Sequence, residues 1–206
     1  MVKSTILMLL CFLSSPVRAQ NVFDGCPMNG SATTPNLQSL NRLKNRYTVP
    51  QASDIDAAVT LQAMLAPGND RNRWNSTHAA EITGFVLDVK PGGGETCNCG
   101  KTDAVHSDTH IELVLHSTDT EMKQTVVVEA TPRMRRKMKA NGTDWSTKGL
   151  RTNIKGKWVT VRGWMTFDTQ HVNAAENTHP GAAGNWRATA WEIHPVTDIQ
   201  MVSAPQ

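Results

Sequence analysis

Five stretches of this chain read as β-strands, most clearly where apolar and polar residues alternate with period two, and that pattern constrains the fold more than any other feature. Glu81 to Val89 is rich in β-branched and aromatic residues and stops at Pro91-Gly92-Gly93-Gly94. His110 to Leu115 puts Ile111, Leu113 and Leu115 on one face, and Gln124 to Glu129 is stopped by Pro132. Lys157 to Asp168 sets Val159, Val161, Gly163, Met165 and Phe167 against Trp158, Thr160, Arg162 and Trp164. Trp186 to Val196 is the last. Strands are therefore expected near 80–90, 109–116, 124–130, 157–168 and 186–196.

Between the third and fourth strands, Met134 to Ile154 reads as helical, with Asn141-Gly142 as a break and Leu150 and Ile154 at helical spacing. Three strands, a helical connection and two more strands is the element order of an OB barrel. The expected fold is mainly β: an OB-like five-stranded barrel over residues 77–206, with one helical connection and an irregular N-terminal arm over 20–76. The arm carries one helix candidate, Asp54 to Leu65, with Ser53 as N-cap and Pro67-Gly68 beyond its end. The two long connections, Pro91 to about Asp108 and about Thr169 to Asn185, are those that flank the binding face in such barrels.

The first nineteen residues predict export. Lys3 precedes an apolar run, Ile6 to Leu13, and Val17-Arg18-Ala19 supplies small residues for cleavage. Eight residues span only about 12 Å as a helix, too short for a bilayer. No later stretch reaches spanning length, so a periplasmic or secreted domain without a transmembrane segment is expected. Without Lys3 and Arg18 the formal net charge of +3 falls to +1, which gives no general electrostatic case for nucleic acid. The local exception is the basic segment 133–157, with Arg133, Arg135, Arg136, Lys137 and Lys139 at its start. It reads as a solvated helix face or as a contact for nucleic acid or another anionic surface.

Four stretches resemble a family of exported bacterial proteins of unassigned activity: Gly92 to Cys99 (GGGETCNC), Asp108 to Leu113 (DTHIEL), Glu129 to Arg133 (EATPR) and Asn185 to Thr197 (NWRATAWEIHPVT). The resemblance covers roughly residues 40 to 200 and implies no catalytic residues, so chemistry is read from residue types.

Two constellations stand out. Cys97 and Cys99, with His106, Asp108 and His110 behind them and His171 or His179 from the second long loop, are ligand types that zinc or copper takes. The same cysteines could instead bridge to Cys26, through Cys97 or Cys99, in an oxidising compartment, or stay unpaired. The second constellation follows from alternation: His110 with Glu112, Arg162 with Trp164, and Glu192 with His194 each share a face, and Arg187 lies beside them. On one common surface they would form a ligand site for an oligosaccharide, oligonucleotide or other anion. With a metal they would form a hydrolase site, such as a nuclease or phosphodiesterase, with Glu112, Glu192 and His194 as candidate acid–base groups. No Gly-x-Ser-x-Gly, His-Glu-x-x-His or phosphate-loop pattern occurs.

Overall fold

The computed structural model describes residues 22–205; the export leader expected over 1–19 lies outside the described residues. The arm opens with a hairpin of β1 (Val22–Phe23) and β2 (Cys26–Pro27), turned through Asp24 and Gly25, both at positive φ. α1 (Pro35–Lys44) follows. The Thr34 hydroxyl accepts from the Leu37 N–H and Pro35 opens the helix, while Arg42 and Lys44 occupy the last turn. Periodicity misses α1 because its buried face is Leu40, Asn41 and Lys44, two of them polar.

The helix expected over 54–65 is shorter: only α2 (Leu61–Leu65) forms, capped by Thr60, after a single 3₁₀ turn at Ala52–Asp54. The intervening backbone is held extended. Ile55 bridges to Ala79, and the Asp56 N–H donates to the Ala79 carbonyl.

β3 (Ala79–Pro91), β4 (Thr109–Val114), β5 (Val126–Ala130), β6 (Trp158–Phe167) and β7 (Trp191–Val202) close a barrel in the order β3-β4-β5-β7-β6. α3 (Pro132–Ala140) and α4 (Thr147–Ile154) connect β5 to β6. Pairings are antiparallel except β5 with β7, which run parallel through Val128 and Ile193. This is the five-stranded OB-like barrel with a helical connection and an N-terminal arm. β3 serves both sides of the closure: Ala79 to Phe85 pair with β6 and Phe85 to Pro91 with β4, with a register shift between Val86 and Asp88.

Four strands lie within two residues of their expected ends; β7 starts five residues later than expected. Residues 187–190 are bonded to loops instead. Glu176 N–H donates to the Arg187 carbonyl, Asn177 N–H to Ala188, and Ala190 N–H to the Asp70 carboxylate.

Val86, Ile111, Leu113, Val126, Val128, Val159, Val161, Met165 and Ile193 fill the interior. At Gly163 the register of β6 against β7 shifts on both sides, and a Cβ there would fall on the Pro195 carbonyl oxygen and against Ile193. Gly163→Ala is therefore expected to destabilise by about 1–3 kcal/mol, read as a drop in the urea midpoint at unchanged slope. An unchanged midpoint would show that the strands can part there freely.

β6 alternates buried and half-buried residues, but β4 and β5 are buried along their whole lengths. Their outward face is roofed by α1, the loop over 92–108 and the loop over 169–190. A group of buried charged residues gathers beneath that roof.

Candidate metal centre

Alternation places His110 and Glu112 of β4, Glu129 of β5, and Glu192 and His194 of β7 on the side away from the barrel interior. The register puts His110 opposite Glu129, and Val128 beside Ile193 brings β7 alongside. All five are buried, His110 being the most exposed at 7 %.

The roof adds its own charges. Lys44, at the end of α1, is fully buried, with its Nζ 2.5 Å from Glu95 and 2.8 Å from Asp168. Burial works against its charge, but Asp168, Glu192 and Glu95 outweigh it and hold the ammonium well above the usual lysine range. Asp168 also takes a 2.5 Å contact from His171 Nδ1. Against burial and the repulsion of Glu192, Lys44 and His171 keep its carboxyl below the usual range. Arg187 Nη1 lies 2.6 Å from Glu192 Oε1 with both side chains fully buried. Burial opposes the charge of Glu192, but Arg187, then Lys44, hold its pKa well down. Lys90 meets Glu112 from the rim.

Six carboxylates thus gather here, Glu95, Asp108, Glu112, Glu129, Asp168 and Glu192, against three permanent cations, Lys44, Lys90 and Arg187. The imbalance falls on Glu129 and Asp108. Among the described residues Glu129 is met only by imidazoles: His110 Nε2 at 3.3 Å from Oε1 and His194 Nδ1 at 3.4 Å from Oε2. Neither oxygen has a hydrogen bond. Burial, then Glu192, Glu95 and Asp108, push its carboxyl well above the ordinary range. Asp108 accepts from the Asn98 amide at 2.5 Å and faces the Cys97 thiol at 3.8 Å, while its Oδ1 is unpartnered. Burial is the main cause of its pKa reaching about 6. His194 Nδ1–H donates to Glu192 Oε2 at 3.2 Å, and among the described residues its buried Nε2 has no partner.

Donor atoms of Asp108, Glu129 and His194 all lie within 4.8 Å of one another, as do those of Glu95, His110 and Glu129. Trp186 closes the rim, stacked on His110 at 6.1 Å and edge-on to His171 at 5.4 Å, with Arg187 and Lys90 over its ring.

The thiol–imidazole set expected from sequence is not assembled. Cys99 is bridged to Cys26, and Cys97 is the free, buried thiol. Burial, then Asp108 and Glu95, push that thiol up, so it is poorly suited to ligate as thiolate. His106 lies outside the group, held by Asp24 and Asp103. His171 reaches the site but is engaged by Asp168. From the expected ligand face, His110, Glu112, Arg187, Glu192 and His194 come together, buried and not open. Arg162 and Trp164 do not join them: Arg162 pairs with Glu81 and Trp164 donates to the Thr48 carbonyl, on the β3–β6 side of the barrel.

The basic segment is largely spent on internal contacts. Arg133 binds Asn45 and the Cys26 carbonyl, and Arg135 binds the carbonyls of Ala104, Val105 and Ser107. Arg136 pairs with Asp24, and Lys155 with Asp88.

Sequence reasoning placed Asp108 beside the cysteine loop but missed Glu129, Lys44, Glu95 and Asp168 as site residues. Only Glu129 carried a readable signal: a carboxylate at the end of a Val-Val-Val run, out of phase with the inward valines 126 and 128. No protein-family model matches the chain, and no curated protein matches it.

Proposed function

We propose that this chain is an exported OB-like domain that holds a divalent metal ion between Asp108, Glu129 and His194. Two buried carboxylates, Asp108 and Glu129, with no lysine or arginine partner among the described residues carry this reading. A buried unpaired carboxylate costs several kcal/mol, and one divalent ion balances both. Two carboxylates and an imidazole suit zinc or manganese better than a copper site built on thiolates. Ligands about 2 Å from a shared ion lie about 3–4 Å apart, and the donor atoms of these three side chains already lie within 4.8 Å of one another. Export is supported by the leader pattern and by the Cys26–Cys99 bridge, a feature of oxidising compartments. A polymer laid across the β4–β5–β7 face would meet α1 and the two loops first, so the buried groups favour an ion over an oligosaccharide or oligonucleotide. Among the described residues no helix is long and apolar enough to cross a membrane.

The test is metal analysis and Zn²⁺ titration of the chelator-stripped protein at pH 7.5. The wild type is expected to bind zinc, and His194→Ala or Asp108→Asn to weaken it by about a hundredfold or more, since loss even of an outer partner costs about 10–100-fold. A folded wild type that takes up no divalent ion overturns the proposal.

A further inference from the structure

We infer that a second divalent ion sits beside the first, held by Glu95 and His110 and sharing Glu129 as a bridging carboxylate. This rests on the metal reading above and extends it from one ion to a pair.

The geometry of Glu129 is the starting point. It is the one residue common to the two ligand sets, and its oxygens are turned to different imidazoles: Oε1 to His110 and Oε2 to His194. A carboxylate so placed offers one oxygen to each of two neighbouring ions. Each ion then has two carboxylates and one histidine, Asp108 and His194 completing the inner set, Glu95 and His110 the outer.

His110 fits the outer role. Both ring nitrogens lack a hydrogen-bond partner although the residue is nine-tenths buried. Gly92 leaves the approach to Nε2 clear; a Cβ there would lie 2.9 Å from that nitrogen. Trp186, stacked on the ring, fixes its plane.

Charge points the same way. Counted with every carboxylate ionised and no proton on the imidazoles, the form an ion would meet, the cluster carries an excess of three negative charges, six carboxylates against Lys44, Lys90 and Arg187. One divalent ion leaves one negative charge over. Two ions with a hydroxide between them leave none. A third cluster, Glu95, Asp168 and His171, needs no ion, because the Lys44 ammonium already lies between its carboxylates. The outer ion lies nearer solvent, since Glu95 is part-exposed and Asp108, Glu129 and His194 are buried. It is therefore the more weakly held and the first lost to a chelator.

Manganese titration of the stripped protein, followed by metal analysis and electron paramagnetic resonance, decides the matter. Two ions per chain with an exchange-coupled signal are expected. His110→Ala and, at the rim, Glu95→Gln should each reduce this to one ion with an isolated-ion signal, at an unchanged circular dichroism spectrum. A wild type that saturates at one ion, or variants that keep two, overturns the pair and leaves the single-ion reading standing. Uptake of no ion at all overturns both.

Discussion

Lys44→Met is expected to lower the stability of the protein by about 3–5 kcal/mol, the cost of removing one partner from a buried ion pair. Methionine nearly conserves the volume of the side chain, so the loss is electrostatic and not a cavity effect. The ammonium is fully buried and is the shared counterion of Glu95 and Asp168, one from the loop that follows β3 and the other just beyond β6. Without it Asp168 keeps only His171 and the Gln170 N–H. An exposed pair would contribute about 1 kcal/mol at most. Urea unfolding at pH 7 measures the difference. Adding Asp168→Asn to Lys44→Met should recover part of the loss, because the orphaned charge is gone, and the cycle isolates the coupling. A loss below about 1 kcal/mol would mean that water reaches this ammonium, and the roof over the site would not be closed. Lys44 also fastens α1 over the carboxylates, so on the proposed metal reading loosening it should speed metal release.

The barrel was legible because its interior follows one rule. Val159, Val161 and Met165 of β6, like Ile111 and Leu113 of β4, alternate against polar residues, and a closed sheet requires that. The same rule grouped His110 with Glu112 and Glu192 with His194. It could not tell whether the polar face is wet or covered, because cover comes from segments without periodicity. α1 buries Asn41 and Lys44, and residues 92–108 are placed by such bonds as Asn98 to Asp108 and Arg135 to Ser107. Alternation also cannot say how far along a partner strand a residue lies. Arg162 faces Asp198 in β7, while Glu192 lies opposite Thr166, so Arg162 and Trp164 share the phase of the site without its position. The cysteines were open on spacing alone. Folding settles them by bringing the β1–β2 hairpin against Cys99, at a Cα separation of 5.8 Å from Cys26.

In the presence of chelator the protein should lose stability as pH rises through the raised pKa of Glu129, by about 1.4 kcal/mol per pH unit at most. The responsible group is Glu129. Its carboxyl is raised well above its ordinary range by burial and by Glu192, Glu95 and Asp108, so the folded protein keeps a proton that the unfolded chain has released. Its stabilising contribution is complete below the ordinary carboxylate range and disappears as pH climbs through the folded pKa. Asp108, at about 6, acts in the same sense but is finished at lower pH. His110, held near 4 chiefly by burial, acts in the opposite sense, and its contribution is complete once the unfolded imidazole is neutral. His171 is raised: burial opposes this, and its hydrogen bond to Asp168 outweighs the burial, so it reinforces the fall at the lower edge of the window. Glu95, Asp168 and Glu192 are all lowered and lose their contribution only as pH falls into the acid range. Urea unfolding over a pH series rising from about 6.5 should therefore give stabilities that descend for the metal-free wild type until the Glu129 carboxyl has ionised. Glu129→Gln, which has no proton to lose, should give a flatter one that crosses it. Zinc should reverse the order, stabilising the wild type by mass action, which at a hundredfold excess over the dissociation constant is about 2.7 kcal/mol, and leaving Glu129→Gln nearly unmoved. A wild-type profile already flat in chelator would place a cation other than a metal beside Glu129. A zinc response equal in both proteins would remove Glu129 from the centre.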